Sequence, residues 1–198
     1  MFFIKNKNFK NGFTLIEALV AISLLMIAIS GPMTIVQKGL NAAYLSRDQM
    51  TASFLVQDAI EAVRNIRDTS ALNNDYKDGD NWLSGLSDCI CETDNDNCDF
   101  DNPGYKSCSI DTTVEKLSSG VFVSNPDNKI LKIKTNDNGE FVKYDLKSVK
   151  KSKFTRIINI HQPADDENEA VVRVRVSWMA QGGEQKVDVS SYIYRYTI

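Results

Sequence analysis

The chain contains 198 residues, of which 42% are apolar and 25% are charged, and its formal net charge is −3. This composition excludes an intrinsically disordered chain and gives no overall basic field that would attract nucleic acid. The single histidine, His161, excludes most histidine-based metal sites and leaves little for a Ser-His-Asp or Cys-His nucleophile. We therefore expect neither an enzyme nor a bound cofactor.

The apolar residues are concentrated near the N-terminus. Residues 1–12 contain three lysines and no acid, and residues 13–36 form an apolar run with one formal charge, Glu17. Because about 20 helical residues cross a hydrocarbon core of ~30 Å, the run predicts a transmembrane helix. A buried core helix fits poorly, since no face of the run is polar.

The flanking charges predict the orientation of this helix. Three lysines precede it, whereas Lys38 and Arg47 follow it, a bias that places the N-terminus in the cytoplasm and the bulk of the chain outside. The sequence Ala28-Ile29-Ser30 resembles a signal-peptidase site, but the charge of Glu17 inside the apolar region argues against a conventional signal peptide.

Residues 12–17, Gly-Phe-Thr-Leu-Ile-Glu, follow the basic leader and open the apolar run. This string resembles the prepilin motif of type IV pilins and of the pseudopilins of type II secretion. The resemblance implies cleavage after Gly12 by a prepilin peptidase and N-methylation of the new N-terminus at Phe13. It also implies that Glu17 sets the register of assembly by pairing with the α-amine of a neighbouring subunit.

The same resemblance implies the partners and the location of the protein. The partners are other pilin or pseudopilin subunits, the prepilin peptidase, a membrane assembly platform and membrane lipid. The protein is expected in the cytoplasmic membrane as a single-pass chain with an extracytoplasmic head, and then in a pilus or pseudopilus.

The helix is predicted to continue beyond the membrane. Apolar residues recur at about 3.6-residue spacing over residues 37–68, which predicts an amphipathic half that packs on the head and ends near Asp68-Thr69-Ser70. The Gly31-Pro32 pair in the first half predicts a kink or local melting, because proline removes an intrahelical hydrogen bond.

Residues 69–119 form a polar insertion that contains all the cysteines: Cys89, Cys91, Cys98 and Cys108. Four cysteines in an exported head predict two disulfides. A bond between Cys89 and Cys91 is disfavoured by geometry. The two remaining pairings are Cys89–Cys98 with Cys91–Cys108, and Cys89–Cys108 with Cys91–Cys98.

Metal binding by this insertion is the alternative. The cysteine spacing lacks the paired knuckles of structural zinc sites, so we expect no zinc. The oxygen donors Asp94, Asp96 and Asp99 alternate weakly in the manner of a calcium loop, without the glycine and glutamate of an EF-hand. A solvated acidic loop is the better explanation of these residues, and we expect no metal.

Residues 120–198 predict an antiparallel sheet. Asn138-Gly139 indicates a hairpin between strands at 130–134 and 141–146, a further strand covers 154–161, and alternating residues at 172–178 indicate a half-buried strand. The fold class is therefore α+β, with a long N-terminal spine helix whose second half packs on a C-terminal antiparallel sheet.

Three charged groups in the head offer little chemistry. Arg173 and Arg175 could bind an anion but fit a solvated sheet face, and the acids at 165–167 fit a solvent-facing loop better than a catalytic pair. A lysine cluster has no stacking aromatic beyond Phe154, which argues against nucleic acid as a partner; its members are Lys147, Lys150, Lys151 and Lys153.

These features together predict a structural subunit, a minor pilin or minor pseudopilin, because the long polar insertion is atypical of a main fibre subunit. The alternative is a monomeric, single-pass anchored module with a binding or adhesive head. The sequence does not distinguish a pilus, a secretion system and a competence system.

Overall fold

The structure is a computed structural model that describes residues 12–72, 82–91, 100, 107–112, 122–123, 129–163 and 166–195. The chain divides into an N-terminal unit, Met1–Leu45, and a C-terminal unit, Ser46–Ile198. One helix, α1 (Leu15–Leu72), contributes to both units. It ends a few residues beyond the predicted stop at 68–70.

The N-terminal unit is described as helix with an exposed apolar surface. Every described side chain from Gly12 to Arg47 is exposed, and the helix continues without interruption through Pro32, so the local melting expected there is absent. Within the described residues, α1 is the helix that is long and apolar enough to cross a membrane.

In its described residues, the C-terminal unit contains the second part of α1, a short 3₁₀ helix (Ser84–Cys89) and seven strands. The strands are β1 (Ser109–Ile110), β2 (Phe122–Val123), β3 (Ile130–Thr135), β4 (Phe141–Asp145), β5 (Lys150–His161), β6 (Glu169–Ala180) and β7 (Gly183–Tyr194). Strands β3 to β7 form an antiparallel sheet in the order β4-β3-β5-β6-β7, and β1 pairs with β2. The α+β prediction is therefore confirmed.

Glycines in the left-handed region close two of the hairpin turns. Gly139 (φ +79°) closes the β3–β4 turn, in which Oδ1 of Asn136 accepts bonds from the N–H groups of Asn138 and Glu140 at 3.1 and 2.8 Å. Gly182 and Gly183, with φ of +118° and +124°, close the β6–β7 turn.

The core lies between α1 and the sheet. The helix residues Ala52, Val56, Ala59 and Val63 are at most 1% exposed and form the helix side of this core. The alternating pattern of β6 is as the sequence predicts, with these side chains buried: Val172, Val174, Val176 and Trp178. The helix therefore packs on the apolar face of the long strands.

Strand β5 contains an irregularity near its start. The pairing with β3 shifts from Ile130↔Thr155 to Lys132↔Lys151, so β5 has extra residues in this interval. The hydroxyl of Ser152 accepts a bond from the N–H of Phe154 at 3.1 Å inside the bulge. A bulge changes the direction in which neighbouring side chains point.

Candidate functional site

The start of α1 is built by the residues of the sequence motif. The N–H of Glu17 donates to the carbonyl of Thr14 at 3.1 Å and to its hydroxyl at 3.4 Å. Thr14 and Glu17 have the spacing of a capping box, in which the threonine satisfies a free N–H of the first turn. The carboxylate of Glu17 in this first turn also interacts favourably with the helix dipole.

Gly12 and Phe13 precede the helix in non-helical backbone. Phe13 is 79% exposed, and among the described residues beyond its chain neighbours no atom lies within 4 Å of the position that a Cβ on Gly12 would occupy. The peptide bond between them is thus sterically accessible. The three leader lysines lie outside the described residues.

The hydroxyl groups of the apolar part of α1 are satisfied within the helix. Ser23 donates to the carbonyl of Leu19 at 2.8 Å, Ser30 to that of Ile27 at 3.0 Å, and Thr34 to that of Gly31 at 2.7 Å. Because an unsatisfied polar group is costly in hydrocarbon, these bonds make the segment compatible with lipid or with a bundle of apolar helices.

A buried arginine connects α1 to the sheet. Arg156 of β5 is 2% exposed, and its guanidinium donates to Oδ2 of Asp58 at 3.0 Å and to the carbonyl of Leu55 at 3.1 Å. It also donates to the carbonyl of Ile110 in β1 at 2.5 Å, and Thr112 donates to the same carboxylate oxygen of Asp58 at 2.7 Å. Arg156 therefore joins α1, β5 and β1.

The electrostatics of this cluster follow from burial. Loss of hydration lowers the pKa of Arg156, while the charge of Asp58 and its hydrogen bond raise it, and Asp111 also raises it. A buried cation is tolerated when it is paired and hydrogen-bonded. The sequence analysis missed this residue, although a signal was present: Arg156 alternates with Phe154 and Ile158 on the apolar face of β5.

A second ion pair holds the start of the C-terminal unit. Nζ of Lys153 lies 2.5 Å from Oδ2 of Asp48, whose side chain is buried. Burial raises the pKa of Tyr144 in β4, and the negative charge of Asp48 raises it further. The positive charge of Arg47 lowers it in part. These pairs stabilise the helix on the sheet.

A groove of about 510 Å³ lies between α1 and the edge strand β4. Phe54 and Phe141, which are 62% and 56% exposed, line it with Tyr144. Its ionisable lining residues are Asp58, Lys143 and Tyr144. Asp58 already binds Arg156, so this lining offers no free acid and base pair for catalysis.

The described cysteines attach the polar insertion to β5. Cys89 is bonded to Cys108, with their Cα atoms 4.9 Å apart. The N–H of Cys108 donates to the carbonyl of Ile158 at 3.0 Å, and the N–H of Cys91 donates to that of Ile160 at 2.8 Å. The Cys89–Cys108 bond belongs to the second of the two pairings left open by the sequence. Cys91 is disulfide-bonded too, and Cys98 lies outside the described residues.

The weak calcium candidates Asp94, Asp96 and Asp99 also lie outside the described residues. Within the part of the chain that the structure describes, no group of three or more His, Cys, Asp or Glu side chains is placed to hold a metal ion.

Two of the remaining charged candidates, Arg175 and Asp166, have structural partners, and Asp165 lies outside the described residues. Arg175 forms two bonds of 2.8 Å to the carboxylate of Asp188 across β6 and β7, and it lies 4.6 Å from the ring centre of Phe100. Asp166 accepts a bond from the N–H of Asn168 at 2.8 Å. An anion at Arg175 would therefore compete with Asp188.

Part of the chain matches a known family model. Residues 7–31 match a family model described as the prokaryotic N-terminal methylation motif. No curated protein and no solved structure matches the chain. The match covers the cap of α1 and the Gly12–Phe13 bond together with most of the exposed apolar segment.

Proposed function

We propose that this chain, a type IV pilin-like protein processed by prepilin peptidase, is a minor pilin or minor pseudopilin of a type IV pilus or a type II secretion pseudopilus. The observation that carries the proposal is the coincidence of the methylation motif with the start of a helix whose apolar first part is exposed at every described residue through Arg47. A helix of this kind needs an apolar environment, which the membrane supplies first and neighbouring helices supply after assembly.

Processing is proposed to occur at the Gly12–Phe13 bond, with methylation of the new amine on Phe13. The exposure of Phe13 supports access by the peptidase, as does the open space that the described residues leave around Gly12. Before cleavage, the leader lies in the cytoplasm and the C-terminal unit lies outside the membrane. Cleavage removes the positively charged leader, and the chain can then leave the membrane plane to assemble.

Glu17 is proposed to set the register between subunits. The new α-amine at Phe13 precedes the Thr14 cap, so its positive charge lies at the positive end of the helix dipole. The Glu17 carboxylate of a neighbouring subunit can neutralise this amine. Without that partner, a charge inside an apolar bundle is strongly destabilising. The pairing thereby selects one axial offset between neighbouring helices.

The disulfides are proposed to be Cys89–Cys108 and Cys91–Cys98. The bond of Cys89 to Cys108 leaves Cys98 for the bonded Cys91, and an oxidising compartment outside the cytoplasm favours both. The proposed partners beyond other subunits and the peptidase are the membrane assembly platform and membrane lipid.

N-terminal mass spectrometry tests the processing. Protein from cells with an active prepilin peptidase should begin at N-methylated Phe13, and protein from peptidase-deficient cells should retain residues 1–12. An intact leader in peptidase-active cells, or cleavage near Ser30, would instead favour a monomeric anchored module with a binding or adhesive head.

Assembly is tested by Glu17→Ala against Glu61→Ala, a change at an exposed glutamate of the same helix. We expect Glu17→Ala to insert and be cleaved but to enter assemblies at least tenfold less than wild type, because a paired charge in the bundle is lost. Glu61→Ala should assemble normally. Assembly of Glu17→Ala at the wild-type level would contradict the register role.

A further inference from the structure

We propose that the end of the C-terminal unit at which α1 enters is a lipid-contacting surface, which rests on anionic phospholipid headgroups beside the membrane anchor. The surface consists of Lys147, Val149, Lys150 and Lys151, and we call it the lysine–valine surface. This inference goes beyond subunit assembly and rests on the proposed membrane insertion of the apolar helix.

The location of this surface follows from contacts inside the C-terminal unit. The unit begins at Ser46, and Asp48, two residues later, forms its ion pair with Lys153 at 2.5 Å. Lys150 and Lys151 begin the same strand as Lys153. The first residues of β5 therefore lie at the end of the unit where the chain arrives from the apolar segment.

The surface presents an apolar side chain among the lysines. Val149 is 97% exposed and lies between Lys147 and Lys150 in the connection from β4 to β5. Exposed apolar residues flanked by lysines are typical of surfaces that insert shallowly into the headgroup region.

The charge of the surface is also unusual for this chain. Lys147, Lys150 and Lys151 are exposed, and within the described part of the chain none of them forms an ion pair. The acid nearest in sequence, Asp145, is buried and accepts bonds from the N–H and the hydroxyl of Ser148 at 2.9 and 2.7 Å. The chain as a whole carries −3, whereas this surface carries three positive charges.

Lipid accounts for these observations better than nucleic acid or an acidic protein does. Lysine ammonium groups bind phosphate as point charges, and a protruding valine gains nothing from the polar backbone of nucleic acid. The membrane is also the surface nearest along the chain, since the apolar run ends at residue 36, ten residues before Ser46. Each lysine near an anionic bilayer increases the membrane partition coefficient roughly fivefold. Three lysines together therefore give strong attraction, although salt screens exposed charges.

The experiment uses the full chain in lipid nanodiscs, with p-benzoylphenylalanine in place of Val149. Photocrosslinking to lipid is compared in phosphatidylglycerol-rich and in phosphatidylcholine nanodiscs. A probe in place of Tyr192, which is 56% exposed near the other end of the sheet, is the positional control. We expect the probe at 149 to crosslink lipid at least fivefold more in the anionic discs, and the probe at 192 to crosslink little in either.

A matched pair of charge variants tests the lysines. Lys150→Gln with Lys151→Gln should reduce lipid crosslinking from position 149 at least fivefold. Arg173→Gln with Arg195→Gln removes the same charge from β6 and from the residue that follows β7, distant from the surface, and should change crosslinking less than twofold.

The outcomes separate this inference from the proposed function. A chain that inserts into nanodiscs but crosslinks lipid equally in both compositions, or crosslinks a second protein chain instead, overturns the lipid surface alone. A chain that fails to insert overturns both the lipid surface and the membrane-anchored subunit.

Discussion

Arg156 in β5 and Asp58 in α1 form an ion pair of 3.0 Å in which the arginine is 2% exposed and the carboxylate is 48% exposed. The pair is thus asymmetric: water can solvate the acid if the pair breaks, but it cannot reach the cation. The Nε of Arg156 has no hydrogen-bond partner, so the cation depends on its other bonds. This asymmetry makes Asp58 the sensitive partner, because its loss leaves the buried charge unpaired.

Asp58→Asn should destabilise the C-terminal unit by about 3 kcal/mol, because removing one partner of a buried pair leaves an uncompensated charge. Denaturant unfolding of the full chain in detergent, followed by the fluorescence of the buried Trp82 and Trp178, measures this change. Asp68→Asn is the matched control, since Asp68 is 47% exposed on the same helix and pairs with Arg67 at 2.7 Å. Arg67 also donates to the carbonyl of Tyr194 at 3.4 Å, so we expect a loss of about 1 kcal/mol or less. Equal losses in the two variants would contradict the special role of Arg156.

Tyr144→Phe should change the pH dependence of stability in the alkaline range. Burial, with Asp48 nearby, raises the pKa of Tyr144 above its ordinary value of 10.0. Stability that depends on the neutral phenol is present below pH 10 and is lost as the pH rises through the folded-state pKa. Phenylalanine keeps the ring contacts with Phe141 and Phe154, at 5.0 and 5.9 Å, but cannot ionise.

We therefore expect Tyr144→Phe to match wild type near pH 8 and to become relatively more stable above pH 10. Unfolding curves of the two proteins at several pH values measure the difference. A constant difference from pH 8 to pH 11 would argue against a raised pKa at this position.

Replacing Cys89 and Cys108 together by alanine should lower stability by about 3 kcal/mol, since this disulfide closes a loop with a sequence separation of 19. Chemical denaturation under non-reducing conditions measures the loss. Peptide mapping without reduction should recover a peptide in which Cys89 is joined to Cys108. Recovery of Cys89 joined to Cys98 would establish the other pairing, and unchanged stability of the double variant would show that the bond constrains little.

The sheet was largely predictable where one face of a strand is buried. In β6, Val172, Val174 and Trp178 alternate with polar residues, and Asn138-Gly139 marks the β3–β4 turn, so local pattern and tertiary structure agree. The start of β5 was not predicted, because Lys150 and Lys151 have no apolar alternation. Their strand conformation comes from pairing with Ile133 and Lys132 of β3, which is information about another segment.

The site was predictable to a different extent in its two parts. The residues from Gly12 to Glu17 were found because their motif is local and continuous. The link between Arg156 and Asp58 spans a sequence separation of 98 residues, and an arginine in an apolar strand has no partner that can be read from neighbouring positions. Strand β1 was missed for a similar reason. Its two residues are held by pairing with β2 and by the hydrogen bond from Arg156 to the carbonyl of Ile110, and both partners are distant in sequence.

The buried Arg156 also determines how tension passes through the C-terminal unit. A slip of one helical turn along α1 would place Phe54 or Ala62 opposite the guanidinium in place of Asp58, and neither can neutralise it. A pull along the helix therefore loads this bond in shear, and the helix cannot move past the sheet in small steps. Under such a pull, the Arg156–Asp58 ion pair either stays intact at one position or breaks together with the core contacts around it.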